Sequence, residues 1–200
     1  FNNCISLNSL DLSDFKKLST SNNMEYMFYN CHNLTYLNLS KFDTSKTYNM
    51  SSFFSGCHSL SSIDLSYLKT SSVKNMKEMF ADCVSLTSLE LLNFDTSSVT
   101  NMQSMFSNCI ALKDIKISRF KTGSVEKMDS MFYNCGSLLS LDLSNFNTKS
   151  LNSMSKMFQN CSSLILLDLS SFDTSLVTDM SEMVSGCEDL EYLDIMNFSE

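Results

Sequence analysis

The segment LTSLELLNFDTSSVTNMQSMFSNC, residues 86–109, contains one unit of a pattern that runs through the whole chain. Its opening phrase, LTSLEL, alternates apolar and polar residues over its last three positions, as a strand with one buried face requires. The second half is spaced differently. Val99, Met102, Met105, Phe106 and Cys109 are separated by 3, 3, 1 and 3 residues, which predicts one buried face of a short helix. Asn101 stands where an N-cap belongs, and Asn108 is a residue type that tolerates the left-handed conformation closing a helix.

Outward from this unit, the same words return along the chain. Eight cysteines, from Cys4 to Cys187, follow one another at a first gap of 27 residues and six gaps of 26. A fixed period in the twenties is the mark of a stacked repeat. Aligned on Cys, the apolar residues fall into columns. Leu7, Leu34, Leu60 and their equivalents stand three after Cys, and the phrase they open, L-x-x-L-x-L, matches a leucine-rich-repeat strand. A Phe column runs Phe15, Phe42, Leu68, Phe94, Phe120, Phe146, Phe172 and Phe198. Another runs Phe1, Phe28, Phe54, Phe80, Phe106, Phe132 and Phe158, with Val184 closing it. Thirteen of the fourteen methionines occupy two further columns. Residues confined to columns in this way stack on their own copies in neighbouring repeats, so these columns are the expected core.

Polar columns carry the register. Asn23, Asn49, Asn75, Asn101, Lys127, Ser153 and Asp179 precede the first Met, and all but Lys127 can accept from free N–H groups. Twelve after Cys, Lys16, Asp43, Lys69, Asp95 and Lys121 alternate in sign, as expected of parallel neighbours about 5 Å apart.

Composition bounds the function. The net charge is −8 and Arg119 is the only arginine, which argues against nucleic acid and anionic membrane partners. The longest apolar run, around Leu164–Leu167, is far short of a membrane span. The expectation is one array over residues 1–200, uncapped at both ends and hence an excerpt of a longer protein.

A recurring cysteine has four readings: a metal array, nucleophiles, disulfides or packing. Metal sites need converging ligands, and each unit supplies one Cys, with His32 and His58 alone standing beside one. No base or orienting partner recurs, so no catalytic residues are expected. Disulfides between adjacent units meet poor geometry, because parallel side chains do not face one another. Buried free thiols filling a packing column fit best.

The full phrase L-x-x-L-x-L-S-x-F-x-T-S-x-V-x-N-M-x-x-M-F-x-N-C, as in LSNFNTKSLNSMSKMFQNC (143–161) and LLNFDTSSVTNMQSMFSNC (91–109), resembles the repeat of BspA-like leucine-rich-repeat surface proteins. The resemblance covers the whole chain. It departs at an extra residue near Phe15–Met24, where an irregular loop is expected, at Leu68 and at Val184. The resemblance implies an extracellular or cell-surface array for adhesion or interaction, with no catalytic residues and no cofactor.

The expected fold is therefore α/β: a leucine-rich-repeat solenoid of about eight 26-residue coils, with a parallel β-sheet on one face and short helices on the other. Side chains between the inward leucines project from that sheet as an acidic, serine-lined ribbon. Its candidate ligand-binding residues are Tyr36, Asp64, Glu90, Asp114, Lys116, Asp142, Asp168, Tyr192 and Asp194. One reading makes the ribbon a solvated face; the other makes it a docking strip for a protein ligand, with Tyr36 and Tyr192 as anchors. Calcium held by stacked Asp lacks the Gly-rich loop that would converge its ligands. The Thr ladder Thr44, Thr70, Thr96, Thr122, Thr148 and Thr174 sits at a turn and is expected to satisfy backbone groups. Three functions remain open: surface recognition and adhesion, an intracellular scaffold, or a passive spacer.

Overall fold

The computed structural model describes residues 1–14 and 22–199. Phe15, Lys16 and the irregular loop expected near Phe15–Met24 lie outside the described residues or at their edge. The repeats are numbered 1 to 8 by their cysteines, Cys4 to Cys187. Six short strands form in them: β1 (Ser9–Asp11), β2 (Tyr36–Asn38), β3 (Ser88–Glu90), β4 (Asp114–Lys116), β5 (Leu166–Asp168) and β6 (Tyr192–Asp194). Each pairs in parallel with a neighbouring repeat in the expected register, as in Leu89 opposite Ile115 and Leu167 opposite Leu193.

The sheet is not continuous. It consists of three two-stranded pieces, β1–β2, β3–β4 and β5–β6. Repeats 3 and 6, at Ser62–Asp64 and Ser140–Asp142, carry no named strand; repeat 6 keeps one isolated bridge, Ser140 to Leu166.

The helical half of the expected fold is corrected outright: no helix occurs among the described residues. Met102, Met105, Phe106 and Cys109 all face inward and are wholly buried, as their spacing required, but on a different backbone. The N–H groups of Met102, Ser104, Phe106 and Asn108 donate to carbonyls of Lys127, Asp129, Met131 and Tyr133 in the next repeat. The intervening N–H groups of Met105, Ser107 and Cys109 close three-residue-spaced turns onto Met102, Ser104 and Phe106. An α-helix spends each N–H on the carbonyl four residues back. Here half of them leave the segment, so a helix cannot form. Ser104 (φ 54°) and Asn108 (φ 60°) take the left-handed conformation that type II turns need at their third residue.

The sequence expected one of these left-handed columns. All eight residues preceding Cys adopt it, from Asn3 (φ 58°) to Gly186 (φ 75°). The second column, Tyr26, Ser52, Glu78, Ser104, Ser130, Lys156 and Glu182, was not foreseen. A left-handed non-glycine residue costs about 1 kcal/mol. The inter-repeat hydrogen bond that all but Glu182 then donate, such as Ser52 N–H to Lys77 at 2.8 Å, is of the same size and offsets it. The Asn column before the first Met behaves as an acceptor, though not as a helix cap. Asn101 Oδ1 takes the Gln103 N–H at 2.9 Å and opens the first turn. Lys127 has no such oxygen, and the bond after it, Met128 N–H to Ser153, lengthens to 3.3 Å.

Side chains repeat the same stacking. Phe80, Phe106, Phe132 and Phe158 lie ring over ring at 5.4–5.8 Å. The expected alternating charges pair Lys69 with Asp43 at 3.8 Å and Lys121 with Asp95 at 4.0 Å, exposed contacts that record register more than they stabilise. The Thr ladder is buried and does what its position implied. Thr96 Oγ1 donates to the Lys121 carbonyl and accepts the Lys121 N–H at 2.7 Å, tying one repeat to the next.

Candidate ligand-binding face

All eight cysteines are free: six are buried, while Cys4 and Cys187 at the ends are half-buried. Each buried thiol has a directed contact that spacing did not show. The S–H donates to the Phe carbonyl 29 residues back, or 30 for Cys31 onto Phe1, as in Cys83 to Phe54 at 3.3 Å and Cys109 to Phe80 at 3.2 Å. Burial pushes these thiols up, Cys161 from 9.0 to about 12, so they stay protonated at neutral pH. His32 and His58 stack on each other at 4.3 Å. No group of three or more His, Cys, Asp or Glu converges on a metal position among the described residues. Likewise, no helix among them is long and apolar enough to cross a membrane.

The strand face is where exposed chemistry collects. Tyr36, Asp64, Glu90, Asp114, Lys116, Asp142, Asp168 and Tyr192 are exposed, and Asp194 is half-buried. The middle acidic column also has a local task. Asp64, Asp142 and Asp168 each accept the N–H two residues on, from Ser66, Ser144 and Ser170. These are Asx-turns that end each strand phrase. Ser66, through its hydroxyl and its N–H, holds the Asp64 carboxyl below its ordinary range, and Ser170 does the same for Asp168. Asp114 and Lys116 neutralise each other at 2.9 Å, and Tyr192 donates its hydroxyl to Asp194 at 3.2 Å. The nine candidates therefore share a face but form no single cluster.

What organises them is the interrupted sheet. Where strands pair, the N–H after the strand is bonded across: Leu12 to Asn38, Leu91 to Lys116 and Leu169 to Asp194. The equivalent N–H groups of Leu39, Leu65, Ile117 and Leu143 have no backbone partner among the described residues. Clefts open at these four steps. The largest, about 650 Å³, lies between repeats 2 and 3 and is lined by Tyr36, Asn38, Asp64 and Tyr67. It continues past Asp64 into one of about 530 Å³ that holds Glu90 and Arg119. The clefts flanking repeat 6 contain Asp114, Lys116 and Asp142 on one side, and Asp142, Leu166 and Asp168 on the other.

Two features of this face escaped the sequence reading. Tyr67 lines the largest cleft and is 50% exposed. Its column, ten after Cys, holds Asn93, Asn145 and Asn197 in other repeats, whose side-chain amides donate to carbonyls of the preceding repeat. Tyr67 cannot make that tie, and instead it furnishes a wall of the cleft. A one-residue departure in an otherwise polar column was the available signal. The second feature is an apolar patch, Leu139, Ile165 and Leu166, exposed on repeats 6 and 7 and continued by Tyr192.

A family model described as "Mycoplasma protein of unknown function, DUF285" matches residues 1–90 and 86–198, nearly the whole chain. No curated protein matches it. Among solved structures, a leucine-rich repeat protein from Bacteroides ovatus ATCC 8483 is 15% identical, with a TM-score of 0.47, over 98% of this chain and 57% of its own. A leucine rich cell surface protein from Faecalibacterium prausnitzii A2-165 is 18% identical, with a TM-score of 0.45, over 98% and 61%. A leucine-rich repeat protein from Eubacterium ventriosum ATCC 27560 is 14% identical, with a TM-score of 0.48, over 86% and 57%. The chain thus covers 57–61% of the length of these three proteins.

Proposed function

The chain belongs to the DUF285 family, and from that premise we propose that it is a non-enzymatic protein-recognition array of a cell-surface protein, adhering to host or neighbouring cells. The observation that carries this reading is the asymmetry of the two sides. The turn side spends its backbone groups on the next repeat and buries its side chains. The strand side leaves clefts, unpaired N–H groups, tyrosines and carboxylates facing outward. Tyr anchors combine apolar area with a hydrogen-bonding tip, the type that dominates protein interfaces. The surrounding Asp residues select a polar or basic partner surface.

The experiment compares the purified chain with a variant carrying Asp142→Lys, Asp168→Lys and Tyr192→Ala, on host-cell and matrix-protein surfaces. The three sites are exposed, and circular dichroism checks that the variant keeps its fold. Saturable binding that the variant loses supports recognition by the strand face. Binding that survives moves the site to the turn side, and binding by neither favours a spacer. The column of unpaired thiols favours a second reading, an intracellular scaffold in a reducing compartment. Adhesion then fails while a cytosolic partner binds.

A further inference from the structure

We infer that the cleft between repeats 2 and 3 is an anchoring pocket for an arginine side chain of the partner protein; the inference rests on the proposal that the strand face recognises protein. Three observations converge on it. The cleft is walled by two tyrosines, Tyr36 and Tyr67, which are 55% and 50% exposed and have no aromatic neighbour of their own among the described residues. Asp64 lies in the same cleft and is ionised at neutral pH, because Ser66 stabilises its charged form. No cation among the described residues forms an ion pair with it, whereas Asp114 is paired with Lys116; Arg119 lines the adjoining cleft that Asp64 and Glu90 share, without an ion pair to either. Asn38 adds an amide on the other wall.

A carboxylate beside aromatic faces is the setting for a cation with a planar, weakly hydrated head. A guanidinium offers a fork of N–H donors to Asp64 while its flat faces lie against Tyr rings. An ammonium is a compact, strongly hydrated charge that presents no flat face, so lysine fits less well. The chain's net charge of −8 draws a basic segment toward this face over a distance set by salt. The clefts flanking repeat 6 lack the second element: neither is walled by an aromatic ring.

The probe is the peptide acetyl-Gly-Ser-Arg-Ser-Gly-amide with its lysine and citrulline counterparts, titrated into the full chain and followed by amide NMR shifts. The arginine peptide is expected to shift Leu39, Asp64 and Tyr67, to bind roughly tenfold more tightly than the citrulline peptide, and to weaken with salt. Asp64→Asn is expected to lose about the same factor. It keeps the fold, because Asn38 already holds the equivalent turn onto Ser40 in repeat 2. Tyr67→Asn places here the residue that repeats 4, 6 and 8 carry at this position, removes one aromatic wall of the cleft, and is expected to weaken binding by about tenfold. Asp179→Asn, on the turn side in a column where Asn23, Asn49, Asn75 and Asn101 already stand, leaves binding unchanged. Equal binding of the citrulline or lysine peptide, an unaffected Asp64→Asn variant, or no saturable binding of the arginine peptide overturns the inference. The cell-surface assay alters only repeats 6 to 8, so loss of adhesion there with no arginine-peptide binding removes this pocket and leaves the recognition function standing.

Discussion

The two sides of each repeat are built from the same chain with the same period, yet one is complete and the other broken. On the turn side, at least four N–H groups cross each step between repeats 2 and 8, as Met76, Glu78, Phe80 and Asp82 do between repeats 4 and 5. On the strand side, four of the steps lose their ladder. The turn side gains its regularity from buried columns of Phe, Met and Cys that leave no room for slippage. The strand side has a single inward residue between two exposed ones, so its backbone is held by less apolar area and parts more easily. Completeness goes with burial, and the gaps go with exposed chemistry.

The steepest test of this contrast is alkaline titration. Cys57, Cys83, Cys109, Cys135 and Cys161 are raised by burial, while in the unfolded chain each releases its proton near the ordinary 9.0. The folded state's advantage is therefore complete below about pH 9 and is lost as pH rises toward the folded values. Each thiol contributes up to about 1.4 kcal/mol per pH unit above that point. Unfolding followed by circular dichroism should set in about one to two units above pH 9, and these five thiols should stay unreactive until it does. Reaction of any of these five in the folded protein at pH 8 would show that the turn side is not closed.

Hydrogen exchange measures both sides in one experiment. The N–H groups of Phe54, Phe80, Phe106 and Phe132 should exchange only with global opening, and those of Leu39, Leu65, Ile117 and Leu143 at least about a hundredfold faster. Leu91, whose N–H is bonded to Lys116, is the internal control on the strand side. Equal protection at Leu91 and Leu65 would mean that the sheet is continuous in solution.

The smallest effect sharpens the account of the turn side. Thr47 occupies the column filled by Val73, Val99, Val125, Leu151 and Val177, and its buried hydroxyl has no hydrogen-bond partner among the described residues. Thr47→Val keeps the shape and removes an orphaned polar group. It should stabilise by about 1 kcal/mol, read as a rise of about 2–4 °C in Tm. A loss of stability would mean that the hydroxyl is satisfied after all.

Much of this was legible from residue columns alone. Leu34, Phe106, Met102 and Cys109 are buried where their periodicity put them, and Thr96 satisfies the backbone of the next repeat as its turn position implied. The candidate face was legible as a ribbon, because strand alternation fixes which side chains project. Its clefts were not: Ser62-Ile63-Asp64 and Ser140-Leu141-Asp142 read like Ser88-Leu89-Glu90, yet only the last forms a named strand. Tyr67 alone carried a trace, as a bulky residue in a column of polar ones.

Sequence by itself determined the period, the inward columns and the projecting ribbon, because each depends on a side chain's polarity and its spacing along one chain. Tertiary structure decided the backbone that joins them. A spacing of 3, 3, 1 and 3 is equally compatible with a helix turn and with successive β-turns, and only the destination of the N–H groups separates the two. That destination is the carbonyl of another repeat, such as Met131 for Phe106. No local preference of Ser104, Glu78 or Lys156 foretells their left-handed φ, since it is imposed by the bond across the stack.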